Sequence, residues 1–306
     1  MSANDQTMIT ALAQASAAAH PVPDRGHVNN FITDAELQQL LALYLPTDLY
    51  AHLQPYFERM GELAGGAVDD WALEADRNPP TLEMRSRSGK EVQRIVKHPA
   101  YVEMEKVAYQ QFGLAAISHR EDMLGWKGKM PPIVKYALTY LFVQSEFGLC
   151  CPLSMTDSLT RTLKKYGEQK LVEKYLPQLL SMDFDASVQG SMFMTEQAAG
   201  SDISNTLTMA YPQEDGSWRL YGEKWVCSNP DAGFGMVLAR VDGGPPGMKG
   251  ISLFLLPRQL DDGSTNHYQI VRLKDKMGTR SMASGEIRMD GAVAYLVGEQ
   301  GRGFVQ

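Results

Sequence analysis

The hydrophobic pattern of this 306-residue chain changes its period once, near residue 186. From Asp34 to about Met182, apolar residues recur at the spacing of an α-helix, as in "DAELQQLLALYL". After about Ala186 the pattern becomes a series of short alternating segments separated by Gly, Pro and Asp, which is typical of strands. No strand–helix–strand alternation follows, so a Rossmann fold is disfavoured. The chain is therefore predicted to have a helical part followed by a β-part.

The helical part is predicted to contain several helices and two weak points. "DAELQQLLALYL" follows Thr33 and Asp34, either of which is a residue type favoured at a helix N-cap. A long helical stretch then meets Gly65-Gly66, where we expect a break, and "NPPTLEMRSRSGK", residues 78–90, is expected to be a connection. "PPIVKYALTYLFVQSEFGLCC" is apolar on nearly all sides and predicts one central, buried helix.

The β-part is predicted to be an antiparallel sandwich or small barrel. "TLTMAY" and "SWRLYGEKWVCS" flank the turn "PQEDG", and "FGMVLARVD", "GISLFLLPR", "YQIVRLKDK" and "GEIRMDGAVAYLV" follow. The predicted fold class is thus α+β and multi-domain. We expect a mobile tail at residues 1–30, a helical domain at 31–185 and a β-domain at 186–300.

Charge and histidine spacing disfavour nucleic-acid and metal sites. The formal net charge is −7, whereas domains that bind nucleic acid usually carry a basic excess. The most basic stretch, residues 82–98, is interrupted by Glu83 and Glu91, so a solvated loop and helix face is favoured over a DNA-binding patch. The six histidines form no HExxH motif and no pair at i, i+4 spacing, which argues against a metal site.

Cysteine usage and hydropathy predict a protein of the cytoplasm. Cys150, Cys151 and Cys227 are odd in number and lack CxxC spacing, which argues against a disulfide framework and a structural zinc site. No apolar run approaches the roughly 20 residues that a membrane span needs. The first 24 residues contain no Lys or Arg, so they lack the basic region of a signal or transit peptide.

The segment "SMFMTEQAAGSDISN", residues 191–205, is the first candidate for a ligand site. Gly200 permits a positive φ and Ser201 supplies a hydroxyl, so the turn can bring N–H groups close to an anion. Thr195 stands where the predicted strand ends. On this segment alone, a plain turn capped by Ser201 or Asp202 is favoured over a ligand site.

A second segment, "GEKWVCSNPDAG", places an aromatic side chain beside small polar ones. The Trp225 ring is suited to shield a flat ring system, and Cys227 and Ser228 are suited to hydrogen-bond its heteroatoms. The alternative is that Trp225 belongs to the apolar core of the β-part. Together with the first segment, it favours a ligand site between two strand ends.

The order of five segments resembles the acyl-CoA dehydrogenase family over nearly the whole chain. They are "YGEQKLVEKYLPQLLS", "GSMFMTEQAAGSD", "GEKWVCSN", "RLKDKMGTRSMASGEIRM" and "GEQGRGF". "KMGTRSMAS", "MTEQAAGSDISNT" and "CCPLSMTDS" are most similar to its adaptive-response (AidB-like) branch. The resemblance implies a helical domain, a β-domain and a C-terminal four-helix domain. We expect the last to be missing, with residues 301–306 as its start.

The resemblance also implies FAD as cofactor and identifies ten positions that contact it. These are Met192, Phe193, Met194, Thr195, Gly200, Ser201, Trp225, Val226, Cys227 and Ser228. Residues 192–195 are expected to line the flavin, with the threonine at its pyrimidine edge. Gly200 and Ser201 match positions near the FAD pyrophosphate and the acyl-CoA substrate. Trp225 matches the aromatic that covers the flavin, and residues 226–228 follow its reactive edge. Many family members have Thr at the position of Cys227, whose thiol is a weaker donor.

The family's reaction further implies a substrate, a base and partners. A Glu removes the α-proton of an acyl-CoA thioester, and a hydride moves from the β-carbon to the flavin. In the family this Glu lies in the C-terminal domain, so no catalytic residue is assigned here, and Glu196 is expected to be structural. The implied partners are acyl-CoA, an electron-transfer flavoprotein, and copies of the complete chain in a homodimer or homotetramer. Neither a membrane nor nucleic acid is an expected partner of this fragment.

Two alternatives to a dehydrogenase remain at the level of sequence. One is a flavoprotein of the alkylation-damage response that binds DNA through the C-terminal region. The other is a scaffold that has lost FAD, against which the presence of Thr195, Ser201 and Trp225 argues. Without the third domain, we expect weak FAD retention and no dehydrogenase turnover.

Overall fold

The structure is a computed structural model that describes residues 26–306. Most of the predicted tail, residues 1–30, lies outside the described residues. Helices predominate up to Leu179, and a strand-rich part begins at Gly190. The predicted fold class, α+β with a helical part followed by a β-part, is therefore confirmed.

The helices begin and end close to the predicted signals. Their bounds are α1 Ala35–Tyr44, α2 Thr47–Ala64, α3 Ala67–Arg77, α4 Pro99–Glu105, α5 Pro132–Val143, α6 Cys150–Tyr166 and α7 Gln169–Leu179, and a π-helix, Lys106–Gln111, continues α4. The Asp34 carboxylate caps α1 by accepting from the Leu37 N–H at 2.8 Å. Gly65 is the C-cap residue of α2, and a Cβ there would lie 1.6 Å from the Val28 carbonyl oxygen, so the position requires glycine. No helix within residues 26–306 is both long and apolar enough to cross a membrane.

The helix predicted from "PPIVKYALTYLFVQSEFGLCC" is two helices, α5 and α6, with a bend between them. Glu146 lies in this bend, and its Oε1 accepts from the Leu149 N–H at 3.0 Å, which satisfies a free donor at the start of α6. Tyr136 and Phe147 are 63% and 69% exposed, so the stretch is not buried on all sides. The prediction of one central, buried helix is wrong. The apolar pattern continues through the whole stretch, but the Glu146 side chain caps the start of a second helix.

A β-hairpin replaces the connection and helix face predicted for residues 78–98. Its strands are β1, Thr81–Arg85, and β2, Glu91–Val96, joined by a turn in which Gly89 has a φ of +82°. The Gln93 side chain accepts from the Ile270 N–H at 2.8 Å, 177 residues away in the sequence. This long-range contact explains why local sequence patterns did not predict the hairpin.

The strands of the β-part form a barrel, as one of the two predicted architectures. Their bounds are β3 Gly190–Phe193, β4 Met209–Pro212, β5 Trp218–Ser228, β6 Phe234–Val241, β7 Ile251–Pro257, β8 Tyr268–Leu273 and β9 Ser284–Val297. The ring β4–β6–β7–β9–β5 closes on itself, while β3 adds to β6 and β8 to β9. The antiparallel prediction holds for most pairs, but β3 and β4 run parallel to β6. These strands can pair in parallel because the connections between them are long enough for the chain to return to the same end of the sheet.

The helical and β-parts each have an apolar core, and a third apolar cluster joins α6 and α7 to β6 and β7. Phe57 lies in the helical core and Phe193 in the barrel core, both fully buried. The Thr156 hydroxyl of α6 accepts from the Gly190 N–H at 2.9 Å. A Cβ on Gly190 would lie only 3.0 Å from the Thr156 Cα, so the two backbones approach closely. The helical part thus fixes the start of the strand that leads to the first candidate segment.

Candidate functional site at the ends of two strands

The two segments singled out from the sequence meet in the structure. The Trp225 N–H donates to the Thr195 carbonyl oxygen at 2.8 Å, which joins β5 to the chain leaving β3. The pairing of β5 with β9 shifts between Lys224 and Cys227, so Trp225 and Val226 lie outside the regular ladder. Trp225 is half-buried and Val226 is 48% exposed. Trp225 thus follows the outward phase of β5, and the irregularity leaves Val226 exposed beside it at a strand end.

A buried ion pair holds this junction together. Lys224 is fully buried, and its Nζ donates to Glu196 Oε1 at 2.7 Å and to the Met194 carbonyl oxygen at 3.1 Å. The same carboxylate accepts from the Leu207 N–H and from the N–H and hydroxyl of Thr208. Burial would raise the pKa of Glu196, but the charge and hydrogen bonds of Lys224 lower it below the usual range. The carboxylate is thus engaged on all sides, in line with the structural role expected for Glu196.

The turn after β3 leaves its small residues open. Glu196 and Ala199 exchange two backbone hydrogen bonds of 3.0 and 3.2 Å, which close the turn. Beyond it, Gly200 and Ser201 are exposed, and a Cβ on Gly200 would meet no atom within 4 Å. The Asp202 carboxylate accepts from the Ser204 N–H at 3.0 Å and begins the next short helical turn. The capped-turn interpretation therefore applies to Asp202, while Gly200 and Ser201 stay accessible.

Three hydroxyls near the two segments are free of protein partners. Among residues 26–306, the side-chain hydroxyls of Thr195, Ser201 and Ser228 make no hydrogen bond. Ser228 pairs through its backbone with Ser284 on β9, so its position in the barrel is fixed. These hydroxyls keep their full capacity to donate to a ligand.

Two of the ten predicted flavin contacts have side chains inside the barrel. Phe193 is fully buried and lies edge-on to Tyr268, with ring centroids 6.4 Å apart. Cys227 is also fully buried, and burial raises the pKa of its thiol to about 12. Met192 and Met194 are half-buried on the same strand end. The structure thus joins Thr195 and Trp225 directly, and the assignment of all ten residues to a flavin stays a prediction.

Sequence reasoning missed the cations that lie on the Trp225 ring. Lys274 Nζ is 3.4 Å from the ring centroid and the Arg272 guanidinium carbon is 5.8 Å from it. Both side chains donate to Glu286 Oε1, at 2.6 and 2.8 Å. The alternation of basic residues in "RLKDK" was the available signal, since it places Arg272 and Lys274 on one face of a strand.

Lys224 was missed as well, although strand alternation points to it. The buried residues of β5 include Trp218 and Leu220, and Lys224 continues their phase of two. A lysine at an inward position of a barrel requires a nearby carboxylate, because a buried charge is costly without a partner. That rule predicts an ion pair for Lys224, although it does not identify Glu196 as the partner.

Two family profiles match the chain, one on each side of the junction between its two parts. The Adaptive response protein AidB N-terminal domain matches residues 21–186, which is more than half of the chain. The Acyl-CoA dehydrogenase middle domain matches residues 191–292. The second match contains both segments of the candidate site.

Individual relatives agree with these profiles. Acyl-CoA dehydrogenase family member 11 of Caenorhabditis elegans is 30% identical over 90% of this chain and 45% of its own length. Putative acyl-CoA dehydrogenase AidB of Escherichia coli K12 is 32% identical over 75% of this chain and 42% of its own. The solved structure of Caenorhabditis elegans ACDH-11 in complex with C11-CoA has a TM-score of 0.83 and 28% identity. That similarity covers 94% of this chain and 49% of the other.

The chain spans less than half the length of these two curated relatives. What it shares with them includes both the helical part and the barrel. The order of its segments, its fold and these matches agree: the chain belongs to the acyl-CoA dehydrogenase family, with an N-terminal domain of the adaptive-response AidB type.

Proposed function

We propose that this chain is part of an FAD-dependent oxidoreductase that acts on the CH–CH bond of an acyl-CoA thioester. The single observation that carries the proposal is the junction of Thr195 with Trp225, at which a half-buried aromatic stands beside an open strand end. Family membership supplies the reaction class, since the relatives described above are acyl-CoA dehydrogenases by name. Because the chain spans under half of those relatives, the activity of the whole protein is itself part of the proposal.

The residues at the junction fit a flavin. The Trp225 ring is half-buried and suited to lie against a flat ring system, and the free hydroxyls of Thr195 and Ser228 are suited to donate to ring heteroatoms. The open turn at Gly200 and Ser201 gives backbone and hydroxyl donors for a pyrophosphate. When bound, FAD supplies the acceptor for the substrate hydride. Thr195, Ser201, Trp225 and Ser228 are the residues that we propose to hold it.

The buried thiol of Cys227 changes how this site is expected to orient the flavin. A hydroxyl at this position in other family members is a stronger donor than a thiol. Here the thiol is fully buried and its pKa is raised by burial, so it stays neutral at physiological pH. We propose that Ser228, whose hydroxyl is free, takes over donation to the flavin edge.

The catalytic base of the proposed reaction is not Glu196. Its carboxylate pairs with Lys224 and accepts three further hydrogen bonds, and its pKa is lowered by the Lys224 charge against the effect of burial. A base needs a free acceptor and a pKa near the working pH. We therefore propose that a Glu of a further helical domain removes the α-proton, and that this chain orients the flavin and shields it from water.

An FAD-binding titration of the purified protein tests the proposal. Because a further domain is expected to complete the FAD site, we expect weak but measurable FAD binding, seen as a change in flavin absorption during the titration. Binding should be weaker still in Trp225→Leu by about two- to tenfold, the effect of one lost aromatic contact. Trp71→Leu is the matched control, because Trp71 is a half-buried tryptophan of α3. Equal FAD affinity of the two variants, or no flavin binding at all, would contradict the proposal.

The match to the AidB N-terminal domain supports a second candidate function. In that case the chain belongs to a flavoprotein of the alkylation-damage response that binds DNA through a further domain. A gel shift with duplex DNA at rising salt separates the two candidates when the protein is extended by that further domain, because both the DNA contact and the catalytic base are proposed to lie there. Salt-sensitive binding supports the second candidate, and acyl-CoA-dependent bleaching of the flavin supports the first.

The proposed partners follow from the reaction class. We propose acyl-CoA as substrate, an electron-transfer flavoprotein as the acceptor that reoxidises the flavin, and a homodimer or homotetramer as the complete assembly. We also propose that the protein acts in the cytoplasm. Stopped-flow reoxidation of the reduced flavin, with and without an electron-transfer flavoprotein, checks the acceptor.

A further inference from the structure

A small cleft lies beside the candidate flavin site and has basic walls. It is bounded by the loop between β8 and β9 and by Pro79 and Pro80, which precede β1. Its volume is about 220 Å³. Lys274, Lys276 and Arg280 line it, and the acidic side chain among its lining residues is Asp275, which is exposed. The cleft therefore carries an excess of positive charge from one short stretch of chain.

Lys276 is the best-fixed of these cations. Its Nζ donates to the Met282 carbonyl oxygen at 2.7 Å and to the Ser284 hydroxyl at 3.1 Å. Within residues 26–306 it has no carboxylate at ion-pair distance. Burial lowers the pKa of the Lys276 ammonium, and the Cys151 side chain and the Glu146 carboxylate only partly oppose this. Since an ammonium has three donors, one N–H is left for a ligand.

Arg280 is placed at the cleft by a fixed backbone and has a free side chain. The next residue, Ser281, donates its hydroxyl to Glu146 Oε1 at 3.0 Å and is buried. The preceding Thr279 has a φ of +52°, which is unusual for a β-branched residue and turns the chain sharply. The Arg280 guanidinium makes no hydrogen bond or ion pair with any residue in 26–306. Its five N–H donors are thus available to an oxyanion.

Lys274 differs because it already has an anionic partner, the Glu286 carboxylate that it shares with Arg272. Its Nζ donates to Glu286 Oε1 at 2.6 Å while it lies against the Trp225 ring. Within residues 26–306, the cations of the cleft that have no carboxylate at ion-pair distance are therefore Lys276 and Arg280. Both are on one loop and border the same small volume, so their repulsion is relieved when an anion lies between them.

We propose that this cleft binds a phosphate-type oxyanion, with Lys276 and Arg280 as its ligands and the Ser284 hydroxyl in reach. The volume is too small for a drug-sized or dinucleotide ligand, which needs roughly 300–1,000 Å³, but accommodates one phosphoryl group and water. Arginine presents a planar pair of donors that matches such an oxyanion, and lysine adds a point charge. The phosphoryl group belongs either to free phosphate or to a phosphate ester such as the nucleotide end of a coenzyme. Binding here requires no flavin.

Isothermal titration calorimetry of the purified protein tests the site directly. The probes are inorganic phosphate and adenosine 3′,5′-bisphosphate, each at an ionic strength held constant with chloride. We expect saturable binding of phosphate in a chloride background. Tighter binding of the bisphosphate assigns the site to a phosphate ester, and equal or weaker binding assigns it to free phosphate. Absence of binding by both probes would overturn the proposal.

Variants assign the binding to this cleft. Arg280→Gln removes a side chain without contacts, so the fold is retained, and we expect affinity to fall at least about tenfold, as for a lost charged hydrogen bond. Lys276→Met should lower it similarly. Lys170→Gln is the control with the same change of net charge, on an exposed lysine of α7 that pairs with Glu168. Unchanged affinity in Arg280→Gln, or an equal loss in Lys170→Gln, would show that the anion binds elsewhere.

Discussion

Two ion pairs in this protein have the same length and opposite surroundings. In α2, Arg59 Nη1 lies 2.7 Å from Glu62 Oε2, and the side chains are 50% and 63% exposed. At the candidate site, Lys224 Nζ lies 2.7 Å from Glu196 Oε1, and the side chains are 0% and 6% exposed. The shared distance shows that geometry alone does not set the energetic role of a pair. Exposure to water does.

Water explains the difference between the two pairs. The members of the exposed pair are solvated whether or not they meet, so such pairs contribute about 0–1 kcal/mol. In the buried pair, each charge offsets most of the cost of burying the other. Removing one side chain therefore leaves the other as an unpaired buried charge. The barrel therefore depends on Lys224 and Glu196 at the point where β3 and β5 present the candidate site.

The largest expected effect comes from removing Lys224 alone. Lys224→Met leaves the Glu196 carboxylate buried without a cation, and we expect the free energy of unfolding to fall by about 3–5 kcal/mol. Urea unfolding at neutral pH measures it. The double variant Lys224→Met with Glu196→Gln has no buried charge and should recover much of the loss. A loss under about 1 kcal/mol in the single variant would place this pair with the exposed ones.

The second effect is a loss of stability in acid that depends on Glu196. Lys224 lowers the pKa of Glu196 in the folded state, so folding favours the ionised carboxylate. Its stabilisation is complete above the pKa of the unfolded chain and is lost as pH falls through the lower folded value. Unfolding free energies between about pH 3 and pH 6 should therefore fall less steeply in Glu196→Gln than in the wild type. Equal slopes would contradict this assignment.

Glu146 provides a third case: within residues 26–306 this buried carboxylate has no cation at ion-pair distance, and the expected pH dependence has the opposite sign. Burial raises the pKa of Glu146, and the hydrogen bonds from Leu149 and Ser281 only partly oppose this. The folded state therefore binds the proton more tightly, and stability from this group falls as pH rises from the unfolded towards the folded pKa. Glu146→Gln keeps an acceptor oxygen, so we expect it to be neutral or to stabilise by up to about 1 kcal/mol at neutral pH.

The control for Glu146→Gln is the pH profile of its unfolding free energy. The variant should have a flatter profile above about pH 4.5 than the wild type, because the titrating carboxyl is gone. Circular dichroism of both proteins at each pH verifies that the helices are retained. A variant that is less stable than the wild type at neutral pH would show that the charge of Lys276, which acts on Glu146 from beyond ion-pair distance, stabilises the ionised carboxylate.

The smallest expected effect is that of breaking the exposed pair. Arg59→Gln should change the free energy of unfolding by less than about 0.5 kcal/mol, and the change should shrink further in high salt. Thermal unfolding at low and high ionic strength measures both. If Arg59→Gln lowered the free energy of unfolding as much as Lys224→Met, exposure to water would not explain the difference between the two pairs.

The elements that the sequence predicted well are those with local causes. The cap at Asp34 and the break at Gly65-Gly66 depend on neighbouring residues, and both are present. The strands of the barrel follow an alternation that is visible within each segment. The hairpin at residues 81–96 and the break at Glu146 were missed, because they depend on Ile270 and on a side-chain cap.

The candidate site was predicted in its parts rather than in its assembly. Family resemblance identified the segments that contain Thr195 and Trp225, and the structure joins them by a hydrogen bond. No local pattern places Lys274 on the Trp225 ring or pairs Lys224 with Glu196, because these contacts connect strands that are distant in sequence. Partners in a closed barrel depend on register, which a single sequence does not reveal.

The hairpin of β1 and β2 has a consequence for how the barrel behaves alone. Its Gln93 accepts from the Ile270 N–H on the side of β8 away from β9, and Arg258 donates to the Gln93 carbonyl oxygen. Without that cover, β8 would be an open edge able to template pairing with a second molecule. Protection of this edge of the barrel thus depends on residues that precede the barrel by about a hundred positions in the sequence. An exchange of barrels between relatives in evolution would succeed only if the hairpin travelled with them.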